Sequence, residues 1–473
     1  NDLTGKIALI YRGSCNFSSK ALAAQNAGAI AVIIVNNVPG APAPMGAGAD
    51  GASVTIPVIM VGQATGALIH AELEAGTTVI GFIGQKNGYY DNDLGMTLAS
   101  ILRADANAYP GQLAQNGTEF STALGGWIYN YGQQDHNGIT LNVTVNNGTE
   151  VYNETSTAFN LLHSDSAQIL MPDFSLSSYP NGTYTITYTI NYGVTDEYPG
   201  DNTLSTEFII NDTLFSMSRV DSNHKPVTTT GLMPSPNTGS FSSCLAFQND
   251  NASRIGVAGM YFSGSVNAPD SLDGREVLVQ AFKWNDVFTD LNDANFGFTD
   301  IVEVTSAIFN FGNDNPGGVA QYQEFPDPFV LEDGQRYLFC VQTFDMNIFF
   351  GYDDKSSYNQ NIDNDLQPFH PIESNGSYFV SGFTGGAVPA LAVRTFDANE
   401  SGLNENAIET QTYPNPAKDL VTVKVKATGD ATLNVTDLSG RVVSTQNVKI
   451  VNGQFVANVS EFKSGTYVFN LSY

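Results

Sequence analysis

Thr183-Tyr-Thr-Ile-Thr-Tyr-Thr-Ile190 decides how this chain is read. Tyr184, Ile186, Tyr188 and Ile190 fall on one face and the threonines on the other, the two-residue period of a strand covered on one side. Outward from it, Asn116-Gly117, Asn147-Gly148, Asn181-Gly182 and Pro199-Gly200 punctuate further short alternating runs, which is the chemistry of tight turns. Helical spacing is absent from about residue 87, and residues 87–212 predict a β-sandwich of immunoglobulin-like layout. Residues 213–397 are richer in aromatic side chains, carry strand patterns at 275–282 and 336–343, and predict a jelly-roll-like sandwich. Residues 398–411 are polar and irregular and read as a linker. In 412–473, Val421, Val423 and Val425 share a face, as do Leu433 and Val435, then Tyr467, Phe469 and Leu471, the pattern of a small terminal β-sandwich. Residues 1–86 differ in kind. There, 6–11, 29–35, 54–61 (interrupted by Pro57) and 77–83 read as strands, while 17–27 and 63–73 read as helices. Asn16 is the expected cap of the first helix, and Gly76 closes the second. The predicted fold class is mainly β and multi-domain: an α/β domain followed by sandwiches.

Length and charge bound the rest. At 473 residues the chain exceeds a single core and implies about three or four domains. Only 14% of residues are charged, and 47 acidic against 19 basic residues leave a net charge of -28. Such a field repels phosphate backbones and anionic lipid, which argues against nucleic acid or a membrane surface as partner. No apolar run reaches the ~20 residues of a membrane-spanning helix. No leader peptide is visible, so the sequence reads as a mature or trimmed chain. Cys244 and Cys340 share one predicted domain. A disulfide across two strands and a pair of buried thiols are equal alternatives for them, and Cys15 has no partner.

Catalytic motifs are missing from the sequence. It holds no His-Glu-x-x-His zinc helix, no Gly-x-Ser-x-Gly elbow and no phosphate-binding loop. His70, His136, His163, His224 and His370 are scattered singly. Gly46-Ala-Gly-Ala-Asp-Gly51 has the glycine spacing of a dinucleotide turn. It follows a Pro-rich loop and precedes a strand, the wrong order for that turn, and reads as a loop. Cys15 has no activating histidine near it in sequence. No cofactor is expected beyond a structural calcium. Asp91-Asn-Asp93, Asn313-Asp-Asn315, Asp353-Asp354 and Asp363-Asn-Asp365 offer oxygen ligands, with Asp353, Asp354, Asp363 and Asp365 the candidate metal set. Turn formation explains the same residues and is the preferred account. Trp284, Phe349, Phe350, Tyr352, Tyr358 and Tyr378 would form a sugar-stacking platform if they shared a surface, and core packing explains them more simply.

Gly5-Lys-Ile-Ala-Leu-Ile-Tyr-Arg-Gly-Ser-Cys-Asn-Phe17, Lys20, Ala24-Gln-Asn-Ala-Gly-Ala29, the strand and turn at 32–37, and Val54-Thr-Ile-Pro-Val58 run in an order that resembles a protease-associated (PA) domain. The resemblance implies a lid or interaction module found beside or inside proteases and sorting receptors, without catalytic groups of its own. It also implies an upstream cysteine for Cys15, so the protein is expected to extend before Asn1. Tyr413-Pro-Asn-Pro-Ala417, Val435-Thr-Asp-Leu-Ser-Gly-Arg441 and Ser464-Gly-Thr-Tyr467 together resemble the type A sorting domain of type IX secretion, with Pro414, Asn415, Pro416, Gly440 and Gly465 carrying the motif. Members of that family engage the secretion machinery and cross the outer membrane of Gram-negative bacteria folded, to the outer surface or the medium. They usually add a strand after the Gly-x-Tyr segment, so an end beyond Tyr473 is expected as well. Residues 91–211, through Tyr129-Asn-Tyr-Gly132 and Pro199-Gly-Asp-Asn202, are similar to bacterial surface immunoglobulin-like modules. Asp165-Ser-Ala167, Asp212-Thr-Leu214 and Asp270-Ser-Leu272 resemble the O-glycosylation sequon of such bacteria, which implies modification at Ser166, Thr213 and Ser271.

These modules point to a secreted or cell-surface binding or structural protein with a protein or glycan ligand. The alternative is the accessory region of a secreted protease whose PA domain gates substrate, and a glycan-binding adhesin is the third reading. The sequence leaves the oligomeric state open.

Overall fold

In a computed structural model, all residues are described except 1, 38–41, 43, 85, 234–238, 268–269, 314, 346, 383–385, 400–410, 426–427, 438–440 and 473. The protein is mostly β, and it divides into two units, Asn1–Asn399 and Glu400–Tyr473. In the first, β1 (Ile7–Tyr11), β2 (Ala31–Val35) and β3 (Val58–Val61) form a parallel sheet in that order, Ile7 opposite Ala31 and Val32 opposite Val58. Parallel neighbours need a crossover. Helix α1 (Phe17–Asn26) supplies the first, burying Ala21 and Ala24 in one cluster with Val32 and Ile34. Asn16 stands at its N-cap, but the side chain makes no capping bond. Helix α2 (Gln63–Glu74) approaches β2 through Gly66, where a Cβ would lie 2.1 Å from Val35 Cγ1. Residues 77–83, expected as a strand, have no regular structure, and Ile80 is 92% exposed. β-branched residues favour extended backbone, yet a strand needs an edge to pair with. No edge among the described residues pairs with this segment.

The threonine–tyrosine stretch is the strand Gly182–Asn191, flanked by Thr203–Asn211 and His136–Asn146 in a six-stranded sheet. Its expected inward face is sealed, with Tyr184, Ile186 and Tyr188 inaccessible and Ile190 nearly so. Asn147-Gly148 makes the hairpin turn that follows His136–Asn146, Gly148 standing at φ +73°. A second sheet of Leu94–Gly95, Thr122–Asn130 and Ser166–Phe174 gives Leu124, Ile128 and Phe174 to the same core.

Residues 214–397 build three further sheets. In the largest, Phe241–Phe247 lies between Arg336–Thr343 and Ile372–Ser374, and every one of its residues is buried. One face joins the main core, while Cys244 and Ala246 join a second cluster with Trp284, Phe288 and Cys340. A strand covered on both faces has no reason to alternate, and Phe-Ser-Ser-Cys-Leu-Ala-Phe does not. The main core is continuous from Leu94 to Val393. Ala108 bridges to Ser216, and Asn361 bonds both backbone groups of Arg103, at 3.3 Å and 2.8 Å. Lys86 ties in the segment ahead of these sheets. Its ammonium reaches Asp93 at 2.7 Å and Asp201 at 2.6 Å, against the rings of Tyr131 and Tyr198.

In the second unit, Gln411–Tyr413, Leu420–Lys424 and Gln454–Asn458 form one sheet. Val442–Ile450, Gly429–Asp437 and Tyr467–Ser472 form another. Val421, Val423, Val425, Leu433 and Val435 meet in a core of their own, with Tyr467, Phe469 and Leu471 packed on it. Most of the expected linker, residues 400–410, lies outside the described residues.

Candidate functional site

A recess of about 400 Å³ lies where the sheets of residues 94–211 meet those of residues 214–397. Tyr109, Phe215, Phe247 and Phe369 form its apolar wall, none more than 9% exposed. Polar groups converge on it from distant stretches. Asp105 precedes the strand Ala108–Pro110, Asn249 and Asp250 follow Phe241–Phe247, Arg336 heads Arg336–Thr343, and Asp365 ends helix α3 (Asn359–Asp365). A concave recess that sets apolar walls beside convergent polar groups is a form small-molecule sites take. Leu366 closes α3 in the left-handed region at φ 52°, turning the chain so that residues 367–369 line the recess. A non-glycine residue there costs about 1–2 kcal/mol. Its backbone is held on both sides: the N–H donates to Ile362 O at 2.9 Å, and the carbonyl accepts from Leu291 N at 2.8 Å.

The charges in the recess are unevenly matched. Asp105 is exposed at the recess, although protein atoms crowd around it. That crowding, followed by the Asp365 charge, pushes its pKa up to about 7, against the pull of a hydrogen bond from Asn361 Nδ2 at 3.3 Å. Asp365 is raised too, chiefly by burial, although it accepts from Asn364 Nδ2 at 2.8 Å. Arg336 is only 7% exposed, and burial lowers its pKa to about 10 with no carboxylate among the described residues to offset it. Its guanidinium carbon lies 3.7 Å from the centre of the Phe288 ring, and Nη2 donates to Gln367 Oε1 at 3.2 Å. Nε and Nη1 make no hydrogen bond among the described residues. Tyr109 OH accepts from Asn249 Nδ2 at 2.8 Å, leaving its own proton to donate.

Of the residues the sequence marks, Asp365 alone lines this recess. Asp353 is sealed. It accepts from Arg219 Nε at 2.9 Å and Nη2 at 2.8 Å, from the Arg219 and Lys355 backbone N–H groups, and from Ser356 Oγ. Burial alone would raise its pKa, but the Arg219 bonds outweigh that and hold it below the usual carboxylate range. Asp354 is exposed beside Thr229, and Asp363 is exposed on α3. Among the described residues no three His, Cys, Asp or Glu side chains are grouped to hold a metal, so Asp353, Asp354, Asp363 and Asp365 do not assemble into one site.

Cys244 and Cys340 face each other across paired strands and are joined in a disulfide, while Cys15 is an exposed free thiol. Trp284, Phe350, Tyr352 and Tyr358 are each 1% exposed, filling cores rather than presenting a platform. Thr213 and Ser271 are exposed and Ser166 is half-buried. Pro414, Asn415 and Pro416 are exposed after Gln411–Tyr413, as is Gly465, whereas Gly440 lies outside the described residues. Sequence reading passes over Asp105 and Arg336. A lone charge heading the otherwise buried run Arg-Tyr-Leu-Phe-Cys-Val was the available signal for Arg336. Asp105, in Arg103-Ala-Asp-Ala-Asn107, carried none.

Two families match the chain, the PA domain at residues 1–69 and the secretion system C-terminal sorting domain at residues 411–473. A curated relative, probable leucine aminopeptidase 2 of Aspergillus fumigatus, is 38% identical over 77 residues, which are 16% of this chain and span 15% of the relative's length. Among solved structures, a β-glucuronidase from Ruminococcus gnavus aligns over 52% of this chain and 35% of its own, at 11% identity and a TM-score of 0.17. The exo-chitosanase CsxA of Amycolatopsis orientalis aligns over 56% of this chain and 25% of its own, at 12% identity and a TM-score of 0.15. Structural likenesses this remote carry no weight here.

Proposed function

We propose that this chain, which carries a PA domain at residues 1–69 and a type IX sorting domain at residues 411–473, works outside a Gram-negative bacterium as a ligand-binding protein seated at the recess between its sheets. The sorting domain marks a secreted or cell-surface protein. The observation that carries the binding reading is Arg336, a charge almost wholly withdrawn from water at the edge of an open recess without a carboxylate partner among the described residues. Stability alone selects against such an arrangement, because an unpaired buried charge is costly. Scanning fluorimetry of the full chain against amino acids, peptides and glycans tests this reading. Gln248 is an exposed residue lining the recess, and Gln248→Trp would fill its mouth. A ligand seated there raises the melting temperature of the unaltered chain and leaves Gln248→Trp unmoved; ligands that shift both alike would sink the assignment.

A second reading is favoured by the 77-residue match to an aminopeptidase. The chain would then be the accessory region of a secreted protease, its PA domain gating substrate and catalysis residing elsewhere in the protein. Casein hydrolysis by the full-length gene product, abolished by a chelator or a serine-protease inhibitor, would favour it over the binding reading.

A further inference from the structure

Resting on the reading of the recess as a ligand seat, we infer that it takes a small zwitterion, an amino acid or a dipeptide-sized peptide, whose carboxylate meets Arg336 and whose ammonium meets Asp105 and Asp365. Arg336 supplies the first half of the case. Its flat face rests on Phe288, and Nη2 gives one of its two N–H groups to Gln367, so the other can pair with Nε or Nη1, both uncommitted among the described residues, along one edge of the guanidinium. That edge is a donor fork matched to a carboxylate, which it can hold through two parallel bonds. An arriving carboxylate would also supply the counter-charge that the protein withholds.

The carboxylates supply the second half. Asp105 and Asp365 line the same recess, each accepting from an asparagine of α3, Asn361 and Asn364, and the Asp365 charge raises the Asp105 pKa, so the pair resists carrying two negative charges. An ammonium group would relieve that repulsion and let both ionise. Tyr109, whose hydroxyl proton has no acceptor among the described residues, adds a neutral donor beside them.

The two ends do not neutralise each other. Among the described residues Arg336 meets two rings and Gln367, while Asp105 and Asp365 accept from Asn361 and Asn364, so no ion pair joins the two ends. A ligand must therefore bring both signs, held apart, to satisfy both ends. A lone anion would enter against the carboxylates and a net charge of -28. A lone amine, or a neutral sugar, would leave Arg336 without a partner. The volume of about 400 Å³ lies within the range of small-molecule sites.

Isothermal titration of the full chain with alanyl-alanine, its N-acetylated form, its C-terminal amide and maltose separates the terms. Alanyl-alanine should bind, and each blocked form should bind at least about tenfold more weakly. Arg336→Gln should weaken alanyl-alanine by a similar factor while leaving the amide unchanged. Asp105→Asn should weaken alanyl-alanine and leave the acetylated form unchanged, the pattern of a double-mutant cycle. Melting temperatures of both variants confirm that they fold. Equal affinity for free and blocked peptides overturns the zwitterion. Binding of maltose alone, lost in Gln248→Trp, also overturns it while preserving the recess as a ligand seat. Failure of every probe overturns both.

Discussion

Lys86 and Arg336 are both cations drawn away from water, and the protein treats them in opposite ways. Lys86 is saturated by the carboxylates of Asp93 and Asp201 and by two tyrosine rings, while Arg336 has two rings and one amide but no carboxylate among the described residues. Removing Lys86 would strand Asp93, whose side chain is fully buried. Lys86→Met is expected to cost about 3–5 kcal/mol in urea unfolding, the range for breaking one side of a buried pair. The pH dependence has a definite sign. Burial raises the Asp93 pKa, against the Lys86 bonds, so the folded state holds that proton more tightly than the unfolded chain. Stability is then lost as pH rises through the folded-state pKa. Without Lys86 that loss steepens, and the deficit of the variant narrows toward acid. Arg336→Met keeps an apolar stem near Phe288 and discards an unmatched charge. Its stability should be unchanged or higher, measured in the same way. A loss as large as that of Lys86→Met would mean that the guanidinium is already satisfied, and the case for a missing ligand would fail with it.

At the scale of elements, the Cys244–Cys340 disulfide joins neighbouring strands that are already in register, closing a separation of 96 residues. The strands do not need it to find each other, so Cys244→Ala with Cys340→Ala should fold. The unfolded chain, no longer cross-linked, gains conformational freedom, and stability should drop by about 2–5 kcal/mol in guanidinium unfolding. An unchanged midpoint would show that the cross-link contributes nothing. The pairing was open at the level of sequence because cysteine spacing does not reveal which strands are neighbours. Gly182–Asn191 was legible for the opposite reason: covered on one side, it writes its environment into its own alternation. Phe241–Phe247, covered on both sides, does not alternate. Residues 77–83 misled because local preference for extended backbone cannot report whether a partner edge exists. The recess was the least legible feature. Asp105 and Asp365 meet only through tertiary packing, and Asp353 reads as a metal ligand until Arg219, remote in sequence, is found holding it.

For the whole molecule, the decisive question is whether the sheets of residues 87–212 and 213–397 unfold separately or together. Sequence patterns change near residue 213, but packing continues across that point. Phe215 lies 6.3 Å from Tyr109, ring centre to ring centre, Asn249 Nδ2 donates to Tyr109 OH at 2.8 Å, and Arg254 reaches Glu119 at 2.9 Å. Pulling the two groups apart would expose these rings and open the recess itself, so we expect one cooperative transition. The chain carries its own probes for this, because its two tryptophans, Trp127 and Trp284, fall one in each group. The Glu400–Tyr473 unit has neither, so its unfolding is silent to both. Trp284→Phe leaves a reporter on Thr122–Asn130, and Trp127→Phe leaves one on Glu276–Trp284. Adding Phe262→Ala, a core truncation expected to cost about 3–5 kcal/mol, damages only the second group directly, since Phe262 packs on Phe309 and Phe311 and does not line the recess. If the groups are thermodynamically one, Trp127 must report the same fall in midpoint as Trp284. A Trp127 midpoint left in place while Trp284 moves would make the two groups independent domains, and the recess a cleft between bodies able to part.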